Sequence, residues 1–521
     1  RDRSPSRGLG DVYKRQLLIS IIALLSGGAT VFSFAPFYHY YLAPLLFLVL
    51  LVLYYYFPRH RSLYTYLWAF AAFFGQCYWI HTALTVFGGI PEGIALFFTL
   101  LLPLFLALFP LTASFLARLI HWPIAYETLV AFPITWILCD FARSHFWSGF
   151  GWGTLGYSQA AVSPLAGYAP VGGVLLVSLA VVITAALLLG IWIVRRSPLH
   201  LSVLVLALIF VALGGEGLKH VSFTRKTGEI SRIALVQPNI PQEAKFNSRL
   251  LDHYVEGFLN LIDQYPGVDI LLFPETSIPA IWENLSPSVR QAFTKGAQKN
   301  NTALALGLFK LNPETHHVFN ALIVIDPQER AAHPGTQLPF YAKHHLVPFG
   351  ETPLFPALTH FIFTALNLDF SPIDSGKESQ GPFKMAHQWV AFNICYEELF
   401  GDELISGARD STLIANGANM AWYGSSYAMD QQLQQAQMRA MELGRYLVRA
   451  TNTGYSAIID HKGHILQKVA RDHFGVLVDT IPGFQGETPY MRLGGDTPCA
   501  IFLLVIYLVL FFIRPSFKSV N

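Results

Sequence analysis

Long apolar runs fill the first 213 residues of this chain and decide what it can fold into. Stretches near Leu17–Phe37, Tyr41–Phe57, Leu63–Phe87, Ile94–Leu116, Leu129–Cys139 with its flanks, Gly172–Val194 and Leu199–Leu213 are candidate membrane crossings, and Ala500–Ile513 adds one near the C-terminus. A bilayer core of ~30 Å takes roughly 20 helical residues, so the pattern predicts about eight spans, the fifth and the last being short. The composition agrees: 53% of residues are hydrophobic, 14% aromatic and 13% charged, as in membrane proteins. A net charge of +2 gives no reason to expect a nucleic-acid or strongly acidic partner.

Short loops orient the spans. Arg59 and Arg61, Arg118, then Arg195 and Arg196 fall in alternate connections, and Arg514 and Lys518 follow the last span. Tyr38–Tyr40 and Gly88–Gly93 carry no Lys or Arg. Positive loops stay in the cytoplasm, which places the long segment from about Gly214 to Thr497 outside. Arg143, in the connection Phe141–Gly167, breaks the alternation. That connection is rich in aromatics and glycine, and two readings stand for it: an interfacial belt of Trp147, Trp152 and Tyr157, or part of a lipid-entry surface. His81, Glu127 and Asp140 lie in or near spans and receive no role.

Residues 1–16 are polar and end D-V-Y-K-R-Q, a string that back-translates to a transposon-type sequencing adaptor. We expect read-through there, a basic cytoplasmic tail being the other reading. The expected organisation is then a bundle of seven helices over 17–213, a linker over 214–230, an external domain over 231–490 and a closing helix over 498–514. Within the external domain, Arg232–Gln237, Asp269–Phe273, Thr302–Phe309, Val318–Asp326, Thr412–Ala415, Tyr446–Ala450 and Ser456–Asp460 read as strands. Ser248–Gln264, Ser286–Asn300 and Met429–Leu443 read as helices. Alternating strands and helices predict a layered α/β domain.

The four cysteines show neither a CxxC pair nor metal-type spacing, so neither a disulfide framework nor a metal site is expected. One of them stands apart. Val390–Phe400, V-A-F-N-I-C-Y-E-E-L-F, is an apolar strand that delivers Cys395 to its polar end, a common way for an α/β enzyme to present a nucleophile. Upstream, L-L-F-P-E-T-S-I-P releases Glu275 and F-Y-A-K-H-H-L-V-P-F-G-E carries Lys343. A thiol is mostly protonated at neutral pH, so a nucleophilic cysteine needs a base or a positive neighbour. Glu275 suits the first role and Lys343, as oxyanion partner, the second. Two carboxylates around one lysine would keep it charged in a partly buried site.

Strand–Glu, Lys loop and strand–Cys in this order resemble the nitrilase superfamily. F-P-E-T, Y-x-K-x-x-L-V-P-F-G-E, C-Y-E and R-A-x-E-x-G-R-x-x-x-R-A-T-N-T-G resemble, more narrowly, the apolipoprotein N-acyltransferase family. The resemblance implies a multi-domain membrane protein in which a transmembrane bundle carries an α-β-β-α nitrilase-like sandwich. It implies a Glu275–Lys343–Cys395 triad, with Glu351, Tyr396, Glu397 and the loop residue Phe246 supporting it. A salt bridge or loop hydrogen bond remains the plainer reading of Glu351 and Glu397. It also implies a thioester acyl-enzyme, a membrane phospholipid donor, a diacylated apolipoprotein acceptor, no cofactor, and a monomer in the bacterial inner membrane with its catalytic domain in the periplasm. Thr352–Asp369, apolar and aromatic, is expected as a lid or arm at the bilayer surface, or else as a plain helix. The chain departs from the family's wording at Met420, Tyr423, Gln432 and Phe246, where Asp, Phe, His and Trp are common.

Two other functions compete. One is a membrane-attached amidase or hydrolase that discharges the acyl-enzyme to water. The other is a catalytically dead scaffold, which the presence of Glu275, Lys343 and Cys395 disfavours. A transporter is disfavoured because about half the chain is one external domain, and no Gly-rich phosphate loop points to a nucleotide.

Overall fold

A computed structural model describes residues 5–328, 338–353 and 373–513, with side chains from Tyr13 onward. The chain forms two compact units. One comprises Arg1–His81, Pro91–Val221 and Gly494–Asn521; the other comprises Thr82–Ile90 and Ser222–Leu493.

The first unit is helical. Among the described residues, five helical stretches are long and apolar enough to cross a membrane: Tyr13–Ser33, Glu92–Leu119, Ile124–His145, Pro164–Val194 and Pro198–Lys219. Leu42–Tyr56 and Thr497–Phe512 are apolar but shorter. The chain is thus a multi-pass membrane protein. The expected third span, Leu63–Phe87, is interrupted: the α-helix Arg61–Cys77 is followed by a short α-helical turn at Ile80–Thr82 and a π-helical turn over Ala83–Phe87. The fifth, expected to be short, has 22 residues. Glu92–Leu119 breaks at Ala107, between Leu106 and Leu108, where Pro110 lacks the N–H that Leu106 would accept. Inside the unit, Phe47, Trp68, Phe132 and Trp136 meet mostly edge to face. A Cβ on Gly27 would lie 2.0 Å from the Trp68 carbonyl oxygen, so only glycine lets the helices Pro5–Gly28 and Arg61–Cys77 cross this closely.

Arg143 owes its position to packing. Its buried guanidinium pairs with Asp140 at 2.5 Å and donates to the Trp152 carbonyl at 2.9 Å, to Thr154 at 2.8 Å and to the Phe150 carbonyl. It ties the following loop back onto its helix, which accounts for an arginine in a connection where the alternation expects none. The expected aromatic belt is corrected with it. Trp152 and Tyr157 are buried and only Trp147 is exposed.

The second unit holds two six-stranded mixed sheets. The first has β1 (Arg225–Gln237), β2 (Ile270–Leu272), β3 (Ala303–Leu311), β4 (Val318–Ile325), β5 (Phe340–Ala342) and, from the far end of the domain, β12 (Gly475–Gln485), in the order β12-β1-β2-β3-β4-β5. The second has β6 (Phe383–Met385), β7 (Gln388–Ile394), β8 (Leu413–Ala418), β9 (Leu447–Thr451), β10 (Ala457–Ile459) and β11 (Ile465–Lys468), in the order β11-β10-β9-β8-β7-β6. At the centre of each, three strands run parallel: β1, β2 and β3 in one, β7, β8 and β9 in the other.

Helices cover one face of each sheet. Leu251–Gln264 and Pro287–Asn300 supply Phe258, Ile262 and Phe293 to the first core, and Gly401–Arg409 and Ala428–Leu443 supply Leu404, Leu433 and Ala440 to the second. The other faces meet, with Leu322 of β4 against Gly417 of β8. This is the expected α-β-β-α sandwich. The linker expected over 214–230 is mostly ordered structure, because a helix runs to Lys219 and β1 opens at Arg225. Thr82–Ile90 belongs to this unit, with the Phe87 ring 6.0 Å from that of Trp422. Most of Thr352–Asp369 lies outside the described residues, as does the end of the chain beyond Ile513.

Candidate active site

The site forms where parallel strands of both sheets end, the usual place for function in α/β folds. β7 is followed at once by Cys395, whose φ is +54°. A side chain in this left-handed region costs of order 1–3 kcal/mol and persists where surrounding structure imposes it. Glu275 follows β2 through Phe273 and Pro274, and the next residue, Thr276, also has a positive φ of 42°. This turn lies directly on Gly307, where a Cβ would come within 2.0 Å of the Pro274 carbonyl oxygen. β5 ends at Ala342 and hands Lys343 to the same spot.

The expected triad residues converge and are all buried. Lys343 Nζ lies 3.4 Å from Glu275 Oε1 and 2.9 Å from Glu351 Oε2. Burial alone would lower its pKa, but Glu351, Glu275 and Cys395 together hold it well above the usual lysine value. Burial and the Glu275 carboxylate push the Cys395 thiol up to about 12, against Lys343 and the Asn419 N–H. These shifts favour a neutral Cys395 thiol beside a charged lysine, so any reaction at its sulfur would first have to remove the proton. The Glu275 carboxylate is held at both oxygens. Its Oε1 accepts from Asn320 Nδ2 at 2.7 Å and its Oε2 from the Asn419 N–H at 2.8 Å.

The supporting residues separate by what they touch. Glu351 shares both Lys343 and the Asn320 amide with Glu275, and also accepts the Val347 N–H at 2.9 Å. It is part of the charge cluster as well as a loop anchor. Glu397 instead accepts the N–H groups of Ile394, His344 and His345 at 2.5, 2.7 and 3.1 Å and the Tyr341 hydroxyl at 2.9 Å. It clamps the Lys343 loop to the Cys395 turn, the hydrogen-bonding reading of that residue. Burial raises its pKa, opposed by those backbone donors. The Tyr396 ring packs against both His345 and Phe400, whose own rings stack on each other. Phe246 is 52% exposed, whereas its neighbour Lys245 turns inward.

Lys245 was not singled out from sequence. It is fully buried and donates to the Glu275 carbonyl oxygen at 3.0 Å. Burial pushes its pKa down to about 7, opposed by Glu275 and Cys395. Its loop is pinned to the second sheet, because Asn452 donates to the Ile240 carbonyl and to Asn419, and Asn419 donates to Gln242. Asn320 and Asn419 were also missed as partners of Glu275. A single Asn inside the apolar strand V-F-N-A-L-I-V-I was the available signal for the first; the peptide N–H of the second leaves none.

Residues 232–490 match the carbon-nitrogen hydrolase family, so fold and site together define a carbon-nitrogen hydrolase domain joined to a membrane-spanning unit. Residues 26–187 match the apolipoprotein N-acyltransferase N-terminal domain. The apolipoprotein N-acyltransferase of Neisseria meningitidis serogroup A is 40% identical, covering 95% of this chain and 96% of that one. The proteins of the same name from Chromobacterium violaceum and Nitrosomonas europaea are 36% and 33% identical, covering 94% and 93% of this chain and 93% and 96% of theirs. The chain belongs to the apolipoprotein N-acyltransferase family. Among solved structures, a nitrilase-superfamily protein of Saccharomyces cerevisiae is similar at 15% identity and a TM-score of 0.36, covering 50% of this chain and 92% of that one.

Proposed function

We propose that the protein transfers an acyl chain from a membrane phospholipid to the α-amine of a diacylglyceryl-modified N-terminal cysteine on an apolipoprotein, with Cys395 as nucleophile, Glu275 as general base and Lys343 as oxyanion partner. The observation that carries this is one buried lysine between two carboxylates, beside a strained strand-end cysteine, in a chain of this family.

As Cys395 attacks the ester carbonyl, its Sγ proton passes to Glu275. The tetrahedral oxyanion forms beside the Lys343 ammonium. Collapse breaks the ester bond, and the departing alkoxide takes the proton from Glu275 and leaves as lysophospholipid. The incoming amine then attacks the thioester and gives a proton to Glu275. The Cys395 thiolate leaves and is reprotonated, so the base is regenerated in each half-reaction.

In this reading residues 17–213 with the helix over 498–514 sit in the inner membrane, and residues 231–490 work as a monomer on the periplasmic side, where both substrates are anchored. The Lys and Arg distribution of the short loops supports that sidedness.

The test is intact-mass measurement of the full chain after incubation with a defined phospholipid, beside Cys395→Ala. The expected result is an acyl-sized adduct on the parent alone, removed by hydroxylamine and transferred to a diacylated lipopeptide. An unmodified parent overturns the proposal. Discharge to water as fast as to lipopeptide makes the protein a hydrolase.

A further inference from the structure

Cys395 holds a φ of +54°, and its peptide group is bonded from outside the triad. The Cys395 carbonyl oxygen accepts a hydrogen bond from Gln432 Nε2 at 2.9 Å. Gln432 lies on the helix Ala428–Leu443, and its own Oε1 accepts from the guanidinium of Arg449 on β9. Arg449 Nη1 in turn lies 3.4 Å from Glu398 Oε2, and Glu398 belongs to the same 3₁₀ turn that Cys395 opens. Glu398, Arg449 and Gln432 are each at most 2% exposed.

These contacts close a ring that starts and ends on the Cys395 turn. The ring has only one working orientation. A guanidinium offers donors alone, so the oxygen end of the Gln432 amide must face Arg449 and its NH₂ end must face Cys395. Arg449 has a carboxyl group beside it in Glu398, and a buried arginine is tolerated where it has such a partner.

We infer that Gln432, oriented by Arg449 and Glu398, is a positioning residue for acyl-enzyme formation, its amide holding the Cys395 peptide group in the turn that sets the thiol beside Glu275 and Lys343. This rests on Cys395 being the nucleophile. It assigns Gln432 no contact with lipid or acceptor.

The experiment compares the full-length parent, Gln432→Glu and Gln432→His in detergent micelles with phosphatidylethanolamine, following the single-turnover rate of the acyl adduct by intact mass across lipid concentrations. Glu keeps the shape of Gln and can pair with Arg449, but its carboxylate has no N–H for Cys395. A neutral His can donate from one ring nitrogen and accept at the other, as the amide does. Small misplacements of reacting groups cost up to roughly 100-fold. Gln432→Glu should therefore acylate about 10- to 100-fold more slowly at saturating lipid, with half-saturation unchanged, and Gln432→His should recover most of the rate. If Gln432→Glu does not fold, Gln432→Met, of similar length and without a donor, is read the same way. Parental rates in Gln432→Glu, or equal slowing in Glu and His variants that remain folded by thermal unfolding, overturn the inference. No adduct on the parent overturns the nucleophile assignment on which it stands.

Discussion

Lys343 Nζ lies 2.9 Å from Glu351 Oε2, closer than it comes to the Glu275 carboxylate. Sharing the ammonium in this way keeps Glu275 from being locked into a private ion pair, which on the proposed mechanism would weaken it as a base. Glu351→Gln retains an oxygen for the Val347 N–H but removes the charge. We expect the acylation rate to fall about 10²-fold, the scale of a disabled general base, with lipid half-saturation little changed. Single-turnover intact mass checks it.

Burial and Glu275 hold the Cys395 thiol at about 12. Alkylation of Cys395 by iodoacetamide should therefore keep rising through pH 9 instead of levelling near the ordinary thiol value of about 8.5. Glu275→Gln removes the neighbouring negative charge, so its thiol should alkylate faster than the parent's at a given pH. If Glu275 is the general base as proposed, the same variant should form acyl-enzyme about 10²- to 10⁴-fold more slowly. Mass mapping of the alkylated residue separates Cys395 from the other cysteines.

Lys245 is pushed by burial from 10.5 down to about 7. Its folded value lies below its unfolded value, so unfolding takes up a proton between these limits. Its contribution to stability thus rises with pH from about 7 towards 10.5 and is lost as pH falls through about 7. The parent's unfolding temperature should therefore rise over that interval relative to that of Lys245→Met, which lacks the titrating group. Parallel pH profiles for the two proteins would count against this.

In the helical unit, Arg143→Met leaves Asp140 buried without its cation and the carbonyls of Phe150 and Trp152 without their donor. Breaking a buried pair from one side typically costs about 3–5 kcal/mol. The unfolding temperature in detergent should drop clearly, and Asp140→Asn combined with Arg143→Met should recover part of the loss.

The three candidate catalytic residues were legible because each ends an apolar strand-like run, and the sheets then bring those ends together. The partners that orient them were not. Asn419 acts on Glu275 through its peptide N–H, which has no sequence signature. Gln432 sits on a helix buried along its whole length, so periodicity could not say which of its glutamines faces Cys395. β12 was missed because its place is set by antiparallel pairing with β1, more than two hundred residues earlier in the chain. Arg143 read as a loop charge because its carboxylate partner, one helical turn away, lay in an apolar run.

The segment Thr82–Ile90 has a practical consequence for anyone preparing the catalytic unit on its own. The order of the domains invites a cut at Ser222. It would discard Phe87 and strip Trp422, already 41% exposed, of its aromatic neighbour. Thr82, against which Gly424 packs, would go with it. A soluble fragment worth crystallising or screening should carry this short peptide grafted back or supplied in trans, or else bear a polar replacement at Trp422.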